Sequence, residues 1–171
     1  MEYTFRKART DEQDQIWMIL KGAIKRRREE GSDQWQDGYP NPEVVKNDID
    51  EGVGFVLLDQ DKVVGYCAVL INDEPQYTDI EGKWLSDGDF VVIHRVAISD
   101  KHLGQGLAQK MLYYIEDYAL ENNIHSIKAD TNFDNAGMLH IFEKAGYKYC
   151  GEVILRGMPR KAFEKVLKLS T

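Results

Sequence analysis

The stretch Phe90–Ala108 constrains the fold of this chain more than any other part of the sequence. It begins with the apolar run 90–98, in which Val and Ile stand at both odd and even positions. Neither face of such a strand can be left in water, so the run predicts a central strand of a sheet that is covered on both sides. A short turn follows, and the segment 103–108 then opens into a helix that begins near Gly106.

The start of that helix predicts a site for an anion. The first N–H groups of a helix have no acceptor within it, and the positive end of the helix dipole lies at the same place. Gly104 and Gly106 let the backbone approach a ligand closely. Loop and helix together therefore suit an anion, most often a phosphate. Many tight strand-to-helix turns use Gly-x-Gly for packing alone, so the two glycines by themselves leave both interpretations open.

Length and charge exclude several classes of protein. With 171 residues the chain fits one domain, 1–171, that buries a proper core. Its 29 acidic residues outnumber 22 basic ones, which argues against a nucleic-acid or anionic-membrane surface and favours cationic substrates. No apolar run is long enough to span a bilayer, and the N-terminal residues lack a signal-peptide core. We therefore expect no nucleic acid, no membrane and a cytoplasmic location.

The cysteines and histidines predict neither a disulfide nor a metal site. Cys67 and Cys150 are far apart in apolar segments, which favours buried free thiols over a disulfide or a nucleophile. The four histidines have no metal-ligand spacing, so no metal is expected.

Hydrophobic periodicity and turn residues predict alternating strands and helices. Up to the central strand, the predicted elements are a strand at Tyr3–Arg6, a helix with a Thr10/Gln13 capping box that stops at Gly31, a helix from Pro42 to Asp50 capped by Asn41, and a hairpin of Val53–Leu58 with Val63–Ile71. Beyond it, they are a helix to Asn122, a strand at Ser126–Thr131, a helix capped by Asp134 or Asn135 that ends at Gly146, and strands at Tyr147–Leu155 and Ala162–Leu169. The strand–helix–strand order implies a right-handed parallel connection.

Three polar stretches allow two interpretations each. In the loop 31–41, Trp35 and Tyr39 either line an acceptor pocket or cover the core. The basic run 25–28 is interpreted as a solvated helix end, with a nucleic-acid patch as its alternative. The acidic connection 72–88 is either a solvated loop or a surface that attracts an amine.

Two segments resemble the motifs of the GNAT (GCN5-related N-acetyltransferase) superfamily. The strand end 96–98 followed by 103–108 is similar to Gln/Arg-x-x-Gly-x-Gly/Ala, with Gly106 and Ala108 at the small-residue places and Leu103 where Gln or Arg is usual. The segment 135–147 resembles Asn-x-x-Ala-x-x-Leu-Tyr-Glu-Lys-x-Gly-Phe. The resemblance implies an α/β fold with a mixed, centrally splayed sheet of six to seven strands and about four flanking helices.

The resemblance also implies acetyl-CoA as co-substrate, bound where the central strand and the next parallel strand splay apart. Backbone groups of Val96, Ala97 and Ile98 would pair with the pantetheine arm, and the Val96 N–H would polarise the thioester carbonyl. Asn135 and Phe142 would contact the cofactor. The amides that would hold the diphosphate are those of Leu103, Gly104, Gln105, Gly106, Leu107 and Ala108.

Proton transfer has candidates but no unique assignment. His94 resembles a histidine of arylalkylamine acetyltransferases, and its intrinsic pKa suits a general base; a hydrogen-bonded core histidine is the alternative. Asp89 and Glu81 are further candidates for the base. Phe142 stands where the family often has a tyrosine acid, so water or one of three other tyrosines would protonate the thiolate. Those tyrosines are Tyr113, Tyr114 and Tyr147.

The sequence therefore favours an N-acetyltransferase that moves an acetyl group directly from acetyl-CoA to a primary amine in a ternary complex. The acceptor is expected to be a small molecule, for which Trp35 and Tyr39 are the candidate contacts, with a peptide or protein as an open alternative. A non-catalytic acyl-CoA sensor of the same fold is the competing hypothesis, favoured by the missing tyrosine at Phe142. Homodimers are frequent in the family, so a dimer is an open expectation.

Overall fold

The computed structural model describes residues 2–168, which form eight strands and four α-helices. In chain order these are β1 (Tyr3–Lys7), α1 (Gln13–Glu29), α2 (Pro42–Asp50), β2 (Gly54–Asp59), β3 (Lys62–Ile71), β4 (Glu81–Gly82), β5 (Val91–Ile98), α3 (Leu107–Glu121), β6 (Ser126–Thr131), α4 (Ala136–Lys144), β7 (Lys148–Leu155) and β8 (Met158–Val166). The strands form one mixed sheet in the order β1-β2-β3-β5-β6-β8-β7-β4. The predicted α/β class is confirmed.

The strand count is one higher than predicted, because β4 has only two residues and no apolar pattern. It pairs antiparallel with β7, where Glu81 faces Glu152 and Gly82 faces Gly151. A Cβ atom at Gly82 would lie 2.1 Å from the carbonyl oxygen of Cys150, so only glycine allows this approach. A pairing this short depends on backbone proximity that hydrophobic periodicity does not report.

One compact unit comprises the described residues of Met1–Val69 and His94–Met111. Within it, β1, β2 and β3 form antiparallel ladders. Buried side chains of α1 and α2 share a core with these strands and with β5. They include Ile16, Leu20 and Ala23 of α1, Val45 of α2, Val56 of β2, Tyr66 of β3 and Ala97 of β5.

The other compact unit comprises the described residues of Leu70–Ile93 and Leu112–Thr171. In it the acidic connection packs onto a core of strand residues, where Tyr77 is 2% exposed. Glu164 of β8 is fully buried and accepts a hydrogen bond from the Leu85 N–H at 2.6 Å. The connection is therefore anchored by Tyr77 and Glu164, while its acidic residues Asp73, Asp79, Glu81 and Asp87 are exposed. The interpretation of 1–171 as one domain stays a prediction.

The central strand pairs with β6 over only part of its length. β5 pairs in parallel with β6 over Val91–Ile93, which face Ile127, Lys128 and Ala129. β5 itself continues to Ile98, and Arg95 has a φ of 57°, in the left-handed region that a non-glycine residue rarely adopts. An αL residue within a strand is typical of a bulge, which bends the strand and ends its pairing.

Several predicted boundaries were wrong in detail. Helix α1 is preceded by a 3₁₀ turn, Thr10–Glu12, and Glu12 rather than Gln13 accepts the hydrogen bond from the Arg9 N–H, at 2.8 Å. β8 begins at Met158, because it completes a tight hairpin with β7 that the charged residues Arg160 and Lys161 do not reveal. The predicted end of this strand, Leu169, lies outside the described residues.

Candidate functional site

The loop before α3 presents its backbone to solvent. Gly104 and Gly106 have φ values of 76° and 73°, and a Cβ atom at either position would have no atom within 4 Å. Glycine is therefore required here by backbone conformation rather than by crowding, since an L-residue with positive φ costs about 1–2 kcal/mol. Residues 103–106 are exposed. The open space beside the two glycines leaves room for a ligand against the backbone.

The first turn of α3 adds backbone donors that the helix itself does not pair. The first hydrogen bond of the helix runs from the Lys110 N–H to the Gly106 carbonyl, at 3.0 Å. The N–H groups of Leu107 and Ala108 therefore have no acceptor within the helix. Leu107 is 2% exposed and holds the turn in place. Together these groups form a fixed cluster of donors at the positive end of a helix dipole, as anion binding requires.

Packing against β3 fixes the position of that turn. Gly65 of β3 faces Ile98 and Met111, and a Cβ atom at Gly65 would lie 3.0 Å from Ile98 Cδ1 and 3.2 Å from Met111 Sδ. The absence of a side chain lets α3 approach the strand closely. The packing of α3 on β3 therefore fixes the position of the donor cluster relative to the sheet.

Helix α1 docks on the turn that leads into the loop. The Arg26 guanidinium is hydrogen-bonded to the Asp100 carboxylate, and its Nη2 also donates to the Ile98 carbonyl at 3.2 Å. Gly22 allows the approach, because a Cβ atom there would lie 2.8 Å from Asp100 Oδ2. Burial lowers the pKa of Arg26, and Glu30 opposes this effect. The position of the loop therefore depends on α1.

The interpretation of the basic run 25–28 as a solvated helix end was wrong for Arg26 and Arg27. The Arg27 guanidinium lies 3.7 Å from the ring centroid of Trp35, and its Nη2 approaches the Val96 carbonyl at 3.5 Å. Burial, and then the charge of Arg26, lowers the pKa of Arg27 to about 10. Lys25 and Arg28 are exposed, as expected. The four side chains differ because those of Arg26 and Arg27 contact carbonyl oxygens of β5, whereas the other two are exposed.

Trp35 is one of the two candidate acceptor contacts, and it lies in the core. Its side chain is 5% exposed, it packs with residues of α1 and β2, and Arg27 stacks on its ring. The residue has a φ of 65°, which the surrounding contacts hold. Its assignment to the acceptor stays a prediction.

Tyr39, the other candidate contact, joins a buried cluster around Arg95. Arg95 Nη1 donates to the Tyr39 hydroxyl oxygen at 2.5 Å. Arg95 Nε and Nη2 donate to the two carboxylate oxygens of Asp48 at 2.9 and 2.7 Å. The Tyr66 hydroxyl also donates to Asp48, at 2.5 Å. We call these four residues (Tyr39, Asp48, Tyr66 and Arg95) the Arg95 cluster.

Asp48 and Tyr66 of the cluster are buried, whereas Tyr39 and Arg95 are partly buried. The side chains of Arg95 and Asp48 are 12% and 6% exposed. Burial favours the neutral form of Arg95, but Tyr39 and Asp48 outweigh it and raise its pKa further. Burial, reinforced by Asp48, raises the pKa of Tyr66. A buried ion pair that loses one partner costs about 3–5 kcal/mol, so this pair can hold the αL backbone of Arg95, whose own cost is about 1–3 kcal/mol.

His94 and Val96 flank Arg95 on β5, and both are half-buried. The Val96 carbonyl approaches Arg27 and the Ile98 carbonyl accepts from Arg26, so these two oxygens are already engaged. Of the other base candidates, Asp89 accepts a hydrogen bond from Asn72 Nδ2 at 3.1 Å, and Glu81 is exposed on β4. The catalytic roles of His94 and Val96 stay predictions.

The candidate cofactor contacts Asn135 and Phe142 lie in the second unit. Asn135 caps α4: its Oδ1 accepts from the Met138 N–H at 3.2 Å, and the residue is 8% exposed. Phe142 is 2% exposed, with its ring centroid 5.2 Å from those of Tyr147 and Phe163. Both side chains thus have structural roles, and their contact with a cofactor stays a prediction.

Tyr147 is the tyrosine nearest to the predicted place of the acid. Its ring packs on Phe142, its residue is 5% exposed, and its hydroxyl has no hydrogen-bond partner within residues 2–168. Burial, and then Glu116, raises the pKa of Tyr147 well above its ordinary value. Tyr147 therefore keeps its proton at neutral pH.

The prediction of buried free cysteines is confirmed, since Cys67 and Cys150 are both buried and unpaired. Burial is the largest effect on both thiols, and it raises the pKa of Cys67 strongly and that of Cys150 to a smaller extent. A thiol that stays protonated is a poor nucleophile. Within the described range, no three His, Cys, Asp or Glu side chains are grouped as a metal would need, and no helix is long and apolar enough to cross a bilayer.

Sequence reasoning missed Arg95 and Asp48. Both carry a signal in retrospect: Arg95 interrupts an apolar strand, and Asp48 stands three positions after the buried Val45 on the inner face of α2. A charge on each of two buried faces implies that they pair, because an unpaired buried charge is far more costly. The sequence does not reveal that the two faces meet.

Comparison with known proteins gives a consistent result. A model of the acetyltransferase (GNAT) family matches residues 20–147. A crystal structure of a GNAT-family acetyltransferase from Streptococcus agalactiae 2603 is 37% identical, covers 98% of this chain and 96% of its own, and superposes with a TM-score of 0.90. YesJ of Bacillus subtilis (strain 168), named an uncharacterized N-acetyltransferase, is 24% identical over 128 residues, which are 72% of this chain and 69% of YesJ. The structure of yncA from Salmonella typhimurium with its cofactor acetyl-CoA has the same fold, with 16% identity, a TM-score of 0.68, and 100% and 97% of the two chains covered.

Proposed function

Because this chain belongs to the GNAT acetyltransferase family and is an N-acetyltransferase with acetyl-CoA as its co-substrate, we propose that it acetylates the primary amine of a small molecule. The acetyl group passes directly from acetyl-CoA to the amine in a ternary complex. The observation that carries this proposal is the exposed loop 103–106 together with the first turn of α3, whose N–H groups have no acceptor within the helix. Backbone amides at a helix N-terminus suit the diphosphate of CoA.

The reaction places three demands on the chain. The amine nitrogen attacks the thioester carbonyl carbon, the carbonyl oxygen becomes negative in the tetrahedral intermediate, and the carbon–sulfur bond then breaks. A donor aimed at that oxygen stabilises it, and the Val96 N–H is our candidate. The attacking nitrogen also loses a proton, and the CoA sulfur leaves as a thiolate. The thiolate is a tolerable leaving group, because its conjugate thiol has a pKa of about 8.5.

His94 is the proposed acceptor of the amine proton, directly or through a water molecule. An alkyl amine has a pKa of about 10.4 and is mostly protonated at neutral pH, so some group must remove a proton before or during attack. We expect His94→Ala to lower kcat about 100-fold at pH 7 and to change acetyl-CoA affinity little. The rate should recover as the pH rises, because more of the amine is then neutral without help. A pH–rate profile parallel to that of the unchanged protein would exclude His94 from proton transfer.

Direct transfer is supported by the state of the cysteines. Both are buried with raised pKa values, so neither offers the thiolate that a covalent acetyl-enzyme would need. The expected initial-rate pattern is a set of intersecting lines when acetyl-CoA and amine are varied together. Parallel lines would indicate a ping-pong reaction and contradict the ternary complex.

The acceptor class follows from charge. A net charge of −7 and the exposed acidic connection favour a cationic amine by long-range attraction. The experiment is a panel of polyamines, arylalkylamines, aminoglycosides, amino acids and peptides, with CoA release measured through its thiol. The buried Cys67 and Cys150 contribute little background to such an assay. If only peptides or proteins are acetylated, the small-molecule assignment is wrong.

Binding can be tested before any acceptor is known. Acetyl-CoA and CoA should each raise the melting temperature, by mass action on the folded state, while ATP and NAD should not. Equal stabilisation by ATP would contradict a site built for the CoA arm.

A further inference from the structure

We propose that Arg95 is a positioning residue for acetyl transfer. Its side chain fixes the direction of the Val96 N–H and couples this N–H to the loop 31–41, which carries the candidate acceptor contacts Trp35 and Tyr39. This inference rests on the proposed role of Val96. It starts from the backbone: the torsion angles of Arg95 set the peptide plane that carries the Val96 N–H. Arg95 has a φ of 57°, and pairing of β5 with β6 covers only Val91–Ile93, so that ladder does not hold this peptide.

The side chain supplies a hold that pairing with β6 does not. A non-glycine residue with φ near 57° relaxes toward the extended region unless its surroundings over-determine it. All three guanidinium nitrogens of Arg95 are hydrogen-bonded: Nε and Nη2 to Asp48, and Nη1 to Tyr39. The carboxylate of Asp48 is held in turn by the Tyr66 hydroxyl. A planar fork bound at three points cannot rotate without breaking several buried bonds together.

The same fork reaches the loop that precedes α2. Tyr39 lies in the loop 31–41, where Trp35 is buried under Arg27 and the Ser32 N–H donates to the Arg27 carbonyl at 2.8 Å. The Tyr39 hydroxyl is the contact of this loop with Arg95. A displacement of Tyr39 therefore acts on the residue immediately before Val96. The Arg95 side chain therefore links the position of the loop 31–41 to the direction of the Val96 N–H.

The Asp48–Arg95 ion pair differs in its position from another ion pair of α2. Lys46 and Asp50 form an ion pair on the same helix, α2, but that pair is exposed and joins neighbouring turns of one helix. The Asp48–Arg95 pair instead joins α2 to the αL residue of the central strand. Breaking it releases the strand, whereas breaking the Lys46–Asp50 pair releases only a surface side chain.

The test uses the carbonyl band of acetyl-CoA labelled with ¹³C at the thioester carbon, measured by infrared difference spectroscopy on the bound complex, and needs no acceptor. In the unchanged protein the band of bound acetyl-CoA should lie at a lower frequency than that of free acetyl-CoA in solution, because a hydrogen bond from the Val96 N–H polarises the carbonyl. Arg95→Lys and Asp48→Asn should lose most of that shift, while calorimetry gives acetyl-CoA affinities within about threefold of the original. Asp50→Asn is the matched control and should keep the full shift.

The outcomes separate this inference from the proposed function. A band that does not move in the unchanged protein contradicts the role of Val96 and removes the inference with it. A band that moves equally in the unchanged protein, Arg95→Lys and Asp48→Asn leaves Val96 in place and overturns the role of Arg95. If these two variants do not fold, Tyr39→Phe decides, because it removes one of the three hydrogen-bond partners of the guanidinium and leaves the ion pair with Asp48 intact. A smaller shift of the band in Tyr39→Phe supports the lock, and an unchanged shift overturns it.

Discussion

The donor loop 103–108 and the Arg95 cluster lie in the same compact unit, yet they are built on opposite principles. The loop is made of backbone: its glycines adopt positive φ, its residues 103–106 are exposed, and its donors are peptide N–H groups. The Arg95 cluster is made of side chains, which are buried or partly buried and are hydrogen-bonded to one another. The first tolerates almost any exposed side chain that keeps the backbone conformation. The second tolerates almost no change of side chain.

This difference suits the two regions to different proposed tasks. We propose that the backbone site binds what all acetyl-CoA users share, the diphosphate, which needs only a rigid helix N-terminus. The Arg95 cluster lies outside the donor loop, so a change in the cluster should leave diphosphate binding intact. We expect changes in the loop to alter acetyl-CoA affinity and changes in the cluster to alter stability and turnover.

The largest expected effect is on stability, in Asp48→Ala. Arg95 would keep its charge in a buried position without its carboxylate, so the free energy of unfolding should fall by about 3–5 kcal/mol. Urea unfolding followed by circular dichroism measures this change. Asp50→Ala breaks an exposed pair on the same helix and should cost less than about 1 kcal/mol. Equal losses in the two variants would show that the cluster is no more than a surface network.

The next effect is on affinity, in Gly106→Asp. A carboxylate there would compete with the diphosphate for the N–H groups of α3 and repel it, so acetyl-CoA should bind about 100-fold more weakly, or about 2.7 kcal/mol. Gly157→Asp is the control, because Gly157 has a φ of 75° and no atom within 4 Å of a built Cβ. Both variants should lose a similar amount of stability through the backbone, about 1 kcal/mol. Isothermal titration calorimetry that finds equal affinity in the two variants would contradict a diphosphate site at Gly106.

The smallest effect is a pH dependence confined to the cluster. The pKa of Tyr66 is raised by burial and by Asp48, so its stabilising contribution is complete below the unfolded pKa of about 10 and is lost as pH rises above that value. Tyr66→Phe should lower the unfolding free energy by about 1 kcal/mol at pH 7 through the lost hydrogen bond to Asp48. The difference in unfolding free energy between the unchanged protein and Tyr66→Phe should become smaller from about pH 9 to about pH 10.5, as measured by urea titrations. A difference that grows would mean that Tyr66 ionises more readily in the folded than in the unfolded protein, so that its folded pKa is lowered rather than raised.

The same contrast explains what could be predicted from the sequence. The central strand, the loop and α3 are encoded locally, by an apolar run, two glycines and a helical pattern, and the structure has them within a residue or two of the predicted bounds. The α/β class followed from these elements and from the family resemblance. The chemistry that depends on backbone is accessible from sequence because it needs only local conformation.

Long-range side-chain contacts were not accessible in the same way. Arg95 and Asp48 are 47 positions apart, and nothing local to either indicates the other. Arg27 was interpreted as solvated because its neighbours are charged, although it stacks on Trp35 beneath the loop 31–41. The two-residue strand β4 depends on Gly82 meeting Gly151, again a tertiary contact. Each of these errors comes from a tertiary contact that the local sequence does not indicate.

Hydrogen exchange with and without saturating acetyl-CoA tests the central claim most directly, because it reads backbone amides themselves. We predict that peptides covering 99–108 gain strong protection when acetyl-CoA binds, while the already buried Asp48 and Tyr66 segments change little. Exchange in 99–108 that is unchanged, in a sample where calorimetry proves that acetyl-CoA is bound, would contradict the claim that these amides hold it.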